Sequence, residues 1–290
     1  MALFVCFAVF VLAAVHGAVG FLSIDCGLEA NSSGYKDSDI VYVPDGPYVD
    51  SGENHRVAVD QQKGNLRPYL TVRSFPSGAR NCYSLPTVAG AKYLVRVIAF
   101  YGNYDGMNSS STLQFDLYIG VNYWNTVHAD GDEVYEAMFV AWASWAPVCL
   151  VNTGSGTPFV STVELRTLGS VLYPALTANQ SMSLAKRVNA GTNKSVTRYP
   201  DDPYDRHWWQ LLSDPTRKNI STTLTVQPDY NYAVPSPIMQ TAIEAASNTT
   251  AIKLALTDKT SHEYMLFVHF ADFQKSQLRQ FNVSFSDGEP

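Results

Sequence analysis

The strongest constraint on this chain is an alternating pattern that occurs twice. Tyr93–Phe100 is rich in β-forming residues, and after a turn-rich stretch Phe115–Gly120 places apolar residues at every second position. Tyr264–Phe270 and Phe281–Phe285 follow the same order near the end of the sequence. Such alternation, closed by Gly, Asn or Asp, is typical of half-buried antiparallel strands. The pattern predicts an all-β chain with two related lobes, of which the second lacks its later strands.

Strand signals also dominate the rest of the sequence. Short β-forming runs separated by Gly, Asn, Asp and Pro favour a β-sandwich or barrel. Met239–Ala246 is compatible with either a short helix or an irregular strand, because two prolines precede it and its apolar spacing is imperfect. The predicted strands are Phe21–Asp25, Leu70–Phe75, Tyr93–Tyr101, Leu113–Ile119, Glu136–Val140, Val148–Asn152, Phe159–Leu168, Thr222–Val226, Tyr264–Phe270 and Phe281–Phe285.

Residues 1–20 differ from the rest of the sequence. Leu3–Val15 is nearly all apolar and uncharged, and Ala18-Val19-Gly20 supplies a cleavage site for signal peptidase. We predict that residues 1–20 are a signal peptide and that the mature chain enters the secretory pathway, to act outside the cell or at the plasma membrane. No other segment reaches the roughly 18 apolar residues of a spanning helix. Membrane attachment would therefore require a downstream helix.

The acceptor pattern for N-glycosylation supports export. Asn-x-Ser/Thr occurs seven times, and charged residues make up 16% of the chain, below the roughly 25% of an average globular domain. We predict glycans on exposed turns or strand edges, which would supply solubility. A net charge of −6 gives no reason to expect nucleic acid as a partner. The candidate asparagines are Asn31, Asn108, Asn179, Asn193, Asn219, Asn248 and Asn282.

Three cysteines remain after removal of the signal peptide, namely Cys26, Cys82 and Cys149. An odd number in an oxidising compartment implies one disulfide and a leftover thiol, or a partner cysteine further along a longer chain. Three pairings are possible. We favour Cys82–Cys149, because both residues flank β segments that can lie side by side.

We predict an internal boundary in Asn189–Tyr204, where a polar, glycine-containing stretch gives way to a turn rich in Pro, Asp and Tyr. This boundary gives a first lobe at 21–197 and a shorter second lobe at 198–290. The first lobe has the size of an ordinary single domain.

Several short strings follow one another in a characteristic order. They are Ile24–Gly27, Leu70–Pro76, Arg80–Leu85, Tyr101–Gly106, Phe115–Gly120, Val148–Gly154, Gly156–Phe159 with Glu164–Arg166, and Arg198–Asp202 with Tyr204–Arg206. In this order they resemble the malectin-like ectodomain of plant receptor-like kinases, in particular those with leucine-rich repeats. The resemblance covers essentially all of 21–290.

This resemblance implies tandem malectin-like jelly-roll β-sandwich lobes, with the second lobe incomplete. Members of the family normally continue into leucine-rich repeats, a transmembrane helix and a cytoplasmic kinase. Kinase activity is not implied for this chain, because its sequence contains no kinase motif.

An acidic cluster raises the question of catalysis. Asp201, Asp202 and Asp205 lie close to Arg206, and two carboxylates across a cleft can hydrolyse a glycosidic bond. The alternative is a turn in which Arg198 or Arg206 pairs with an aspartate. We favour the turn and expect no catalytic residues, with a glycoside hydrolase as a distant alternative.

The sequence also offers little for a metal ion or cofactor. Asp130-Gly131-Asp132-Glu133 supplies oxygen ligands of the kind that Ca²⁺ accepts, but it lacks the spacing of an EF-hand loop. A solvated acidic turn is the simpler interpretation. We expect neither a metal nor a cofactor.

Recognition is better supported by the residues. Tyr101, Asn103, Tyr104 and Asp105 combine aromatic faces, an amide and a carboxylate in one loop between two predicted strands. Such groups suit a sugar ligand, and loops on a rigid sandwich often carry binding residues. The alternative is that the tyrosines cover the edge of the sandwich.

We therefore expect a non-catalytic extracellular recognition domain, whose partner is a cell-wall glycan, a secreted peptide or a co-receptor ectodomain. The alternative is a protein–protein interaction module that binds no sugar.

Trp142 and Trp145 pose the choice between core and surface again. Because they stand three residues apart, they would point to opposite faces of a strand. At most one of them would therefore face the core of the domain.

Overall fold

The computed structural model describes residues 20–131, 133–247, 251–254, 263–273, 281–282 and 284. The chain divides into two compact units, the first ending at Leu184 and the second beginning at Ala185. The predicted boundary at 197/198 falls inside the second unit, and as a division between related lobes it stays a prediction. Apart from Gly20, the predicted signal peptide lies outside the described residues.

The first unit consists mainly of β-strands. Its helical segments among the described residues are one turn of α-helix, α1 (Val59–Gln62), and one 3₁₀ turn (Arg67–Tyr69). The strands are β1 (Phe21–Asp25), β2 (Tyr35–Asp37), β3 (Ile40–Pro44), β4 (Glu53–Arg56), β5 (Thr71–Ser74), β6 (Arg80–Pro86), β7 (Lys92–Ile98), β8 (Gln114–Ile119), β9 (Asn122–His128), β10 (Val134–Val140), β11 (Trp145–Ser155), β12 (Phe159–Val160), β13 (Thr162–Leu168) and β14 (Met182–Ser183).

Two large sheets enclose the core of this unit. The seven-stranded sheet has the order β14-β10-β7-β13-β1-β3-β2, and the four-stranded sheet has the order β6-β11-β8-β9. A three-stranded sheet, β12-β5-β4, adds to the core. Neighbouring strands are antiparallel, except for the parallel pair of β1 and β3. The result is the predicted β-sandwich.

Strand β8 illustrates how alternation builds the sandwich. Phe115, Leu117 and Ile119 are buried, whereas Asp116 and Tyr118 lie half-buried on the opposite face. Full burial of a side chain such as Leu or Phe contributes roughly 1.5–3 kcal/mol. The inner residues of β8 meet apolar side chains from the strands of both large sheets, so the core is continuous across the sandwich.

A buried row of charges crosses the outer face of the seven-stranded sheet. Arg96 Nε donates to Glu136 Oε1 at 2.8 Å, and the same guanidinium pairs with Glu164. Arg166 Nη2 donates to Glu164 Oε2 at 2.8 Å. These four side chains are buried, and charges removed from water are tolerated only when they are paired in this way. The row therefore has a structural role.

The second unit has shorter strands and a smaller core. Its elements are β15 (Val188–Asn189), β16 (Val196–Thr197), β17 (Trp208–Gln210), β18 (Arg217–Ser221), α2 (Ser236–Met239) and β19 (Thr241–Ala245). One sheet has the order β15-β17-β16, with β15 parallel to β17, and β18 pairs antiparallel with β19. The buried apolar cluster consists of Trp208, Val234 and Ile238.

The strand predictions are correct for the first unit and partly wrong for the second. Phe159–Leu168 contains two strands, β12 and β13, separated at Ser161. Thr222–Val226 forms no strand. The paired strand β18 ends at Ser221, and the Thr222 hydroxyl accepts a local hydrogen bond from Leu224 N at 3.2 Å. For Met239–Ala246 the strand alternative is confirmed, since β19 occupies Thr241–Ala245, whereas the short helix α2 precedes this range and ends at Met239.

The predicted strand Tyr264–Phe270 is also wrong, since these described residues belong to no strand. Alternation decides which side chains share a face, but a strand also needs a neighbour that completes its hydrogen bonds. The predicted strand Phe281–Phe285 lies partly outside the described residues.

Candidate functional site

The predicted binding loop connects β7 to β8 and lies beside α1. Ala58 N donates to Gly102 O at 2.8 Å, which ties the loop to the residue that precedes α1. Gly102 has a φ of +49°, and a Cβ at this position would come within 2.5 Å of Val57 Cγ1. A side chain at Gly102 would therefore push the loop away from Val57, two residues before α1.

Tyr101 faces the core rather than solvent. Its ring centroid lies 5.7 Å from that of Phe159, and its side chain is buried. Its hydroxyl donates to Asp105 Oδ1 at 2.5 Å and lies 3.1 Å from Ser109 Oγ. Burial, together with the hydrogen bond to Asp105, raises the pKa of Tyr101. This residue supports the loop from beneath.

Tyr104 and Asp105 also make contacts within the loop and its base. The half-buried Tyr104 ring lies 5.6 Å from Phe159 and 5.1 Å from the His55 ring. Asp105 Oδ1 accepts from Met107 N at 3.0 Å as well as from Tyr101. These contacts match the alternative in which the tyrosines cover the sandwich edge. A ligand contact by Tyr101, Tyr104 or Asp105 stays a prediction.

Asn103 lies at the open side of the same loop. It has a φ of +50°, and its Oδ1 accepts a hydrogen bond from Asn108 N at 2.9 Å. This bond closes the tip of the loop and holds the two asparagines next to each other. Both side chains line a pocket.

This pocket, called the loop pocket below, has a volume of about 280 Å³. Phe100, Tyr101 and Ala129 supply apolar surface, and the remaining lining is polar apart from one glycine. Amides, a hydroxyl and a carboxyl thus converge on one small space with an aromatic wall. The lining residues are Gln61, Phe100, Tyr101, Gly102, Asn103, Asn108, Ser110, Ala129 and Glu133.

Glu133 lies in the loop pocket because the segment just before β10 pairs with the segment just after β7. Its backbone carbonyl accepts from Ala99 N at 2.9 Å, which brings it beside Phe100. Loss of solvent around the carboxyl raises the pKa of Glu133. In the sequence this residue stands out only as part of an acidic turn. Asp132 lies outside the described residues, and the described part of the chain contains no group of three or more His, Cys, Asp or Glu side chains suited to a metal ion.

Sequence reasoning missed Gln61, Ser110 and Glu133 as partners of Asn103. They come from α1, from the far end of the β7–β8 loop and from the turn before β10. Each is an ordinary polar residue in its own segment, and the sequence does not indicate that the three segments meet at one pocket.

The acidic cluster forms the salt-bridged turn that we favoured. Arg206 Nε donates to Asp202 Oδ2 at 2.7 Å, and Trp208 Nε1 donates to the same oxygen at 2.6 Å. Asp205 receives two hydrogen bonds from Arg198, at 2.8 and 2.7 Å. Both carboxylates are fully buried, so they stabilise the fold of the second unit and are inaccessible to a ligand in solution.

A second pocket, of about 560 Å³, lies in the second unit. Tyr232, Val234, Met239 and the run Leu266–Phe270 form much of its apolar lining, with Asp229 and Gln227 as polar members. Burial lowers the pKa of His269 on this wall. Its few polar groups make it less suited to a hydroxyl-rich ligand than the loop pocket.

The favoured disulfide is present, joining Cys82 on β6 to Cys149 on β11. Cys26 is a buried free thiol, and burial raises its pKa well above the ordinary value. Six candidate glycosylation asparagines are exposed, and Asn248 lies outside the described residues. The exposed ones are Asn31, Asn108, Asn179, Asn193, Asn219 and Asn282. Their occupancy stays a prediction.

The helices of the described ranges are all too short or too polar to cross a membrane.

Sequence comparisons show that the chain is similar to one part of plant receptor kinases. A family model for the malectin-like domain matches residues 24–289. A probable LRR receptor-like serine/threonine-protein kinase of Arabidopsis thaliana is 38% identical over 275 residues, which are 91% of this chain and 31% of the relative. A probable LRR receptor-like protein kinase of the same plant is 35% identical over 293 residues, 98% of this chain and 33% of the relative. The chain thus spans about a third of the length of these curated relatives.

Solved structures share the fold at low sequence identity. The plant receptor-like kinase FER matches with a TM-score of 0.63 at 17% identity, over 76% of this chain and 64% of that one. The ANX2 ectodomain from Arabidopsis thaliana matches with a TM-score of 0.57 at 14% identity, over 72% and 60%. A chain in the crystal structure of plant peptide RALF23 in complex with FER and LLG2 matches with a TM-score of 0.57 at 13% identity, over 78% and 65%.

Proposed function

Because the chain belongs to the malectin-like domain family, as the order of its motifs predicted, we propose that it is a non-catalytic extracellular recognition domain of a plant receptor-like kinase. We further propose that it holds its ligand in the loop pocket of the first unit. The observation that carries this proposal is the convergence of two asparagines, a glutamine, a serine and a glutamate beside an aromatic wall.

The polar groups of the loop pocket favour a carbohydrate ligand. The amides of Gln61 and Asn103 can donate and accept, the Glu133 carboxyl can accept, and the Phe100 ring can contact the apolar face of a sugar. The volume of about 280 Å³ lies near the lower end of the roughly 300–1,000 Å³ of typical small-molecule sites. We therefore expect it to hold the terminal units of a glycan rather than a long chain.

Binding without catalysis is the function that this arrangement favours. Glycoside hydrolysis needs two carboxyl groups, separated by roughly 5–9.5 Å. Among the described residues, Glu133 is the one carboxyl that lines the loop pocket. The buried carboxylates of Asp202 and Asp205 are already paired with arginines. Both observations support a binding role.

Recognition of a peptide or of a co-receptor ectodomain, without sugar binding, is the second candidate function. It is favoured by the similarity of fold to a chain in the complex of RALF23 with FER and LLG2. A peptide would also find a hydrogen-bonding partner in the exposed amide of Gln61.

A glycan array probed with the secreted, full chain tests the proposal, followed by calorimetry with the soluble glycan that binds best. We expect Glu133→Gln to weaken that binding by about tenfold or more, because it weakens a charge-assisted hydrogen bond. Glu29→Gln, an equally conservative change at an exposed turn outside the pocket, is the matched control. Binding to secreted peptides with an empty array would favour the second candidate, and equal affinities for the two variants would exclude the loop pocket.

A further inference from the structure

The outer face of the four-stranded sheet carries large exposed aromatic side chains. Tyr123, Trp142 and Trp145 are 54%, 51% and 50% exposed, although residues of this size are usually covered. Tyr118 lies half-buried on the same face, since Leu117 and Ile119 point into the core. We call Tyr118, Tyr123, Trp142 and Trp145 the outer aromatic face. Neither tryptophan belongs to the core, which agrees with the prediction that at most one would.

Side-chain contacts connect three of the four rings into one surface. The Tyr118 and Tyr123 rings are 5.8 Å apart and nearly perpendicular. The Arg80 guanidinium lies 5.0 Å from the centre of the Tyr118 ring, and it donates to the carbonyl of Gly120. Trp142 lies directly against Gly120, because a Cβ at Gly120 would be 3.0 Å from the Trp142 ring. The surface therefore runs from β9 across β8 to the segment before β11.

Trp145 extends this surface along β11. Gly120 N donates to Pro147 O at 2.9 Å, which places Pro147 next to the Trp142 contact. Trp145 stands two residues before Pro147, and alternate residues of a strand share one face. Ala146 and Val148, between and beyond them, are buried in the core. Trp145 thus lies at the end of the same row.

The rings of Tyr123 and Trp142 are held in place by contacts within the protein. The Tyr123 hydroxyl lies 3.0 Å from Thr126 Oγ1, which donates to Asp116 Oδ1 at 2.6 Å. The Trp142 ring lies 5.9 Å from that of Phe139. Side chains that are already ordered lose little entropy when a ligand arrives, so a prearranged surface suits a ligand that offers many weak contacts.

We propose that the outer aromatic face is a second binding site and that its ligand is an extended, neutral polysaccharide chain. Flat rings with exposed faces suit the apolar faces of successive sugar units, and Asp116 and Thr126 supply hydrogen-bonding groups beside them. The four strands carry one Arg and one Asp and no Lys or Glu. This charge balance disfavours a polyanion.

Two further observations support a long ligand on this face. None of the seven glycosylation motifs lies on β6, β8, β9 or β11, so the protein's own glycans would leave the face accessible. The exposed large side chains of the face are aromatic, and Val121 in the β8–β9 turn is the aliphatic exception at its margin. Stacking on sugar rings needs aromatic faces of this kind. Exposed Trp, Tyr and Arg side chains also anchor protein partners, so failure of a neutral polysaccharide to bind would favour a protein on this face. This site is independent of the loop pocket.

Affinity electrophoresis of the full chain in native gels tests the proposal, with soluble hydroxyethyl cellulose as the neutral probe and polygalacturonate as the anionic probe. We expect the neutral polymer to retard the chain. Trp145→Ala and Tyr123→Ala should each weaken the retardation by roughly fivefold to tenfold, since one stacking contact is lost in each. Tyr230→Ala, at a 74% exposed tyrosine of the second unit, is the matched control.

Two further variants distinguish stacking on this face from binding in the loop pocket and from loss of folding. Weaker retardation of Glu133→Gln but not of Trp145→Ala would assign the retardation to the loop pocket, so that failure of the loop pocket and failure of the outer aromatic face give different results. Trp145→Phe retains an aromatic ring and should retain most of the binding, whereas a folding defect at this position would weaken both variants of Trp145. Retardation only by polygalacturonate, no retardation by either polymer, or equal retardation of Trp145→Ala and the unmodified chain would overturn the proposal.

Discussion

Both units of this molecule contain buried ion pairs, but they differ in the size of their apolar cores. In the first, apolar side chains from both large sheets fill a continuous core, and one disulfide links two strands of the smaller of these sheets. In the second, the buried apolar cluster is small, and Trp208 donates to the buried carboxylate of Asp202. Arg206 joins the same carboxylate and donates to the carbonyls of Tyr232 and Ala233, at 2.6 and 2.7 Å.

This difference indicates where each unit is sensitive. A large apolar core spreads its free energy over many contacts, so one exposed change has a small effect. A small unit organised around the buried carboxylates of Asp202 and Asp205 concentrates its stability in a few directional bonds to their arginines, and removal of one partner leaves the other charge buried. The candidate sites follow the same division, because both the loop pocket and the outer aromatic face use the first unit as a rigid support.

The largest effect is expected from loss of the disulfide in the first unit. Its cysteines are 67 residues apart, and closing a loop of this length stabilises the folded chain by about 4 kcal/mol through the unfolded state. Replacing Cys82 and Cys149 together by serine should remove this free energy. The measurement is hydrogen exchange by mass spectrometry on peptides from each unit, across a urea series.

Ser84→Ala is the control for this experiment, because Ser84 is exposed on the same strand as Cys82. We expect lost protection in peptides from β6, β8 and β11, with little change in β16 and β17. Equal loss of protection in both units would mean that they unfold together, and this would contradict the view that each unit has its own source of stability.

The next largest effect is expected from Asp202→Asn in the second unit. The amide leaves the buried guanidinium of Arg206 without its charged partner, and such a change typically costs about 3 kcal/mol. Peptides containing Trp208 and Ala233 should lose protection against hydrogen exchange. Asp201→Asn is a closely matched control, because Asp201 pairs with Lys194 at the surface, where ion pairs contribute about 0–1 kcal/mol. Similar losses in the two variants would contradict the concentration of stability at Asp202.

How far the sequence predicts each unit depends on the range of the interactions. The Phe115–Gly120 alternation predicts a strand correctly, because every second side chain of β8 is buried in a large apolar core and stabilises the strand. The order of strands in each sheet cannot be read in this way, since β7 lies between β10 and β13 through contacts distant in sequence. In the second unit Thr222–Val226 also alternates at Leu224 and Val226, but the strand before it ends at Ser221.

The sites show the same limit. Asn103 is predictable because it shares a short loop with two tyrosines, and the salt-bridged turn is predictable because Arg198 and Arg206 flank the aspartates in the sequence. Gln61 and Glu133 are distant from Asn103 in sequence, and only the pairing of Ala58 with Gly102 and of Ala99 with Glu133 brings them together. Local chemistry is visible in a sequence, whereas convergence across strands depends on the complete fold.

A pH-dependent effect of intermediate size sharpens the comparison, because the first unit also contains a buried carboxyl. Burial raises the pKa of Asp25 to about 6, although Thr71 and Tyr35 donate hydrogen bonds to it. The folded unit therefore keeps a proton that the unfolded chain, with a pKa near 3.8, releases. The contribution to stability is present below about pH 4 and is lost as the pH rises through about 6.

Between pH 4 and pH 7 this loss amounts to about 2 kcal/mol, since each pKa unit corresponds to about 1.4 kcal/mol. Asp25→Asn cannot ionise and should flatten the dependence of unfolding free energy on pH by that amount, measured by urea denaturation. Asp50→Asn, at an exposed position, should retain the dependence of the unmodified chain. A steeper dependence in Asp25→Asn would show that Asp25 is ionised in the folded unit.

The smallest effect concerns the candidate loop, where the rigid first unit meets a segment with its own internal bonds. Tyr101→Phe keeps the ring in the core but removes the hydroxyl that donates to Asp105 and accepts from Ser109 N at 3.2 Å. Asp105 is exposed and can bond water instead, so the expected cost is about 1 kcal/mol. Faster amide exchange should be confined to Asn103–Ser109, with Tyr230→Phe as a control at an exposed ring. If the exchange of β7 and β8 rose equally, the hydroxyl would support the sandwich itself, and the loop could not be treated as a separate recognition element on a rigid support.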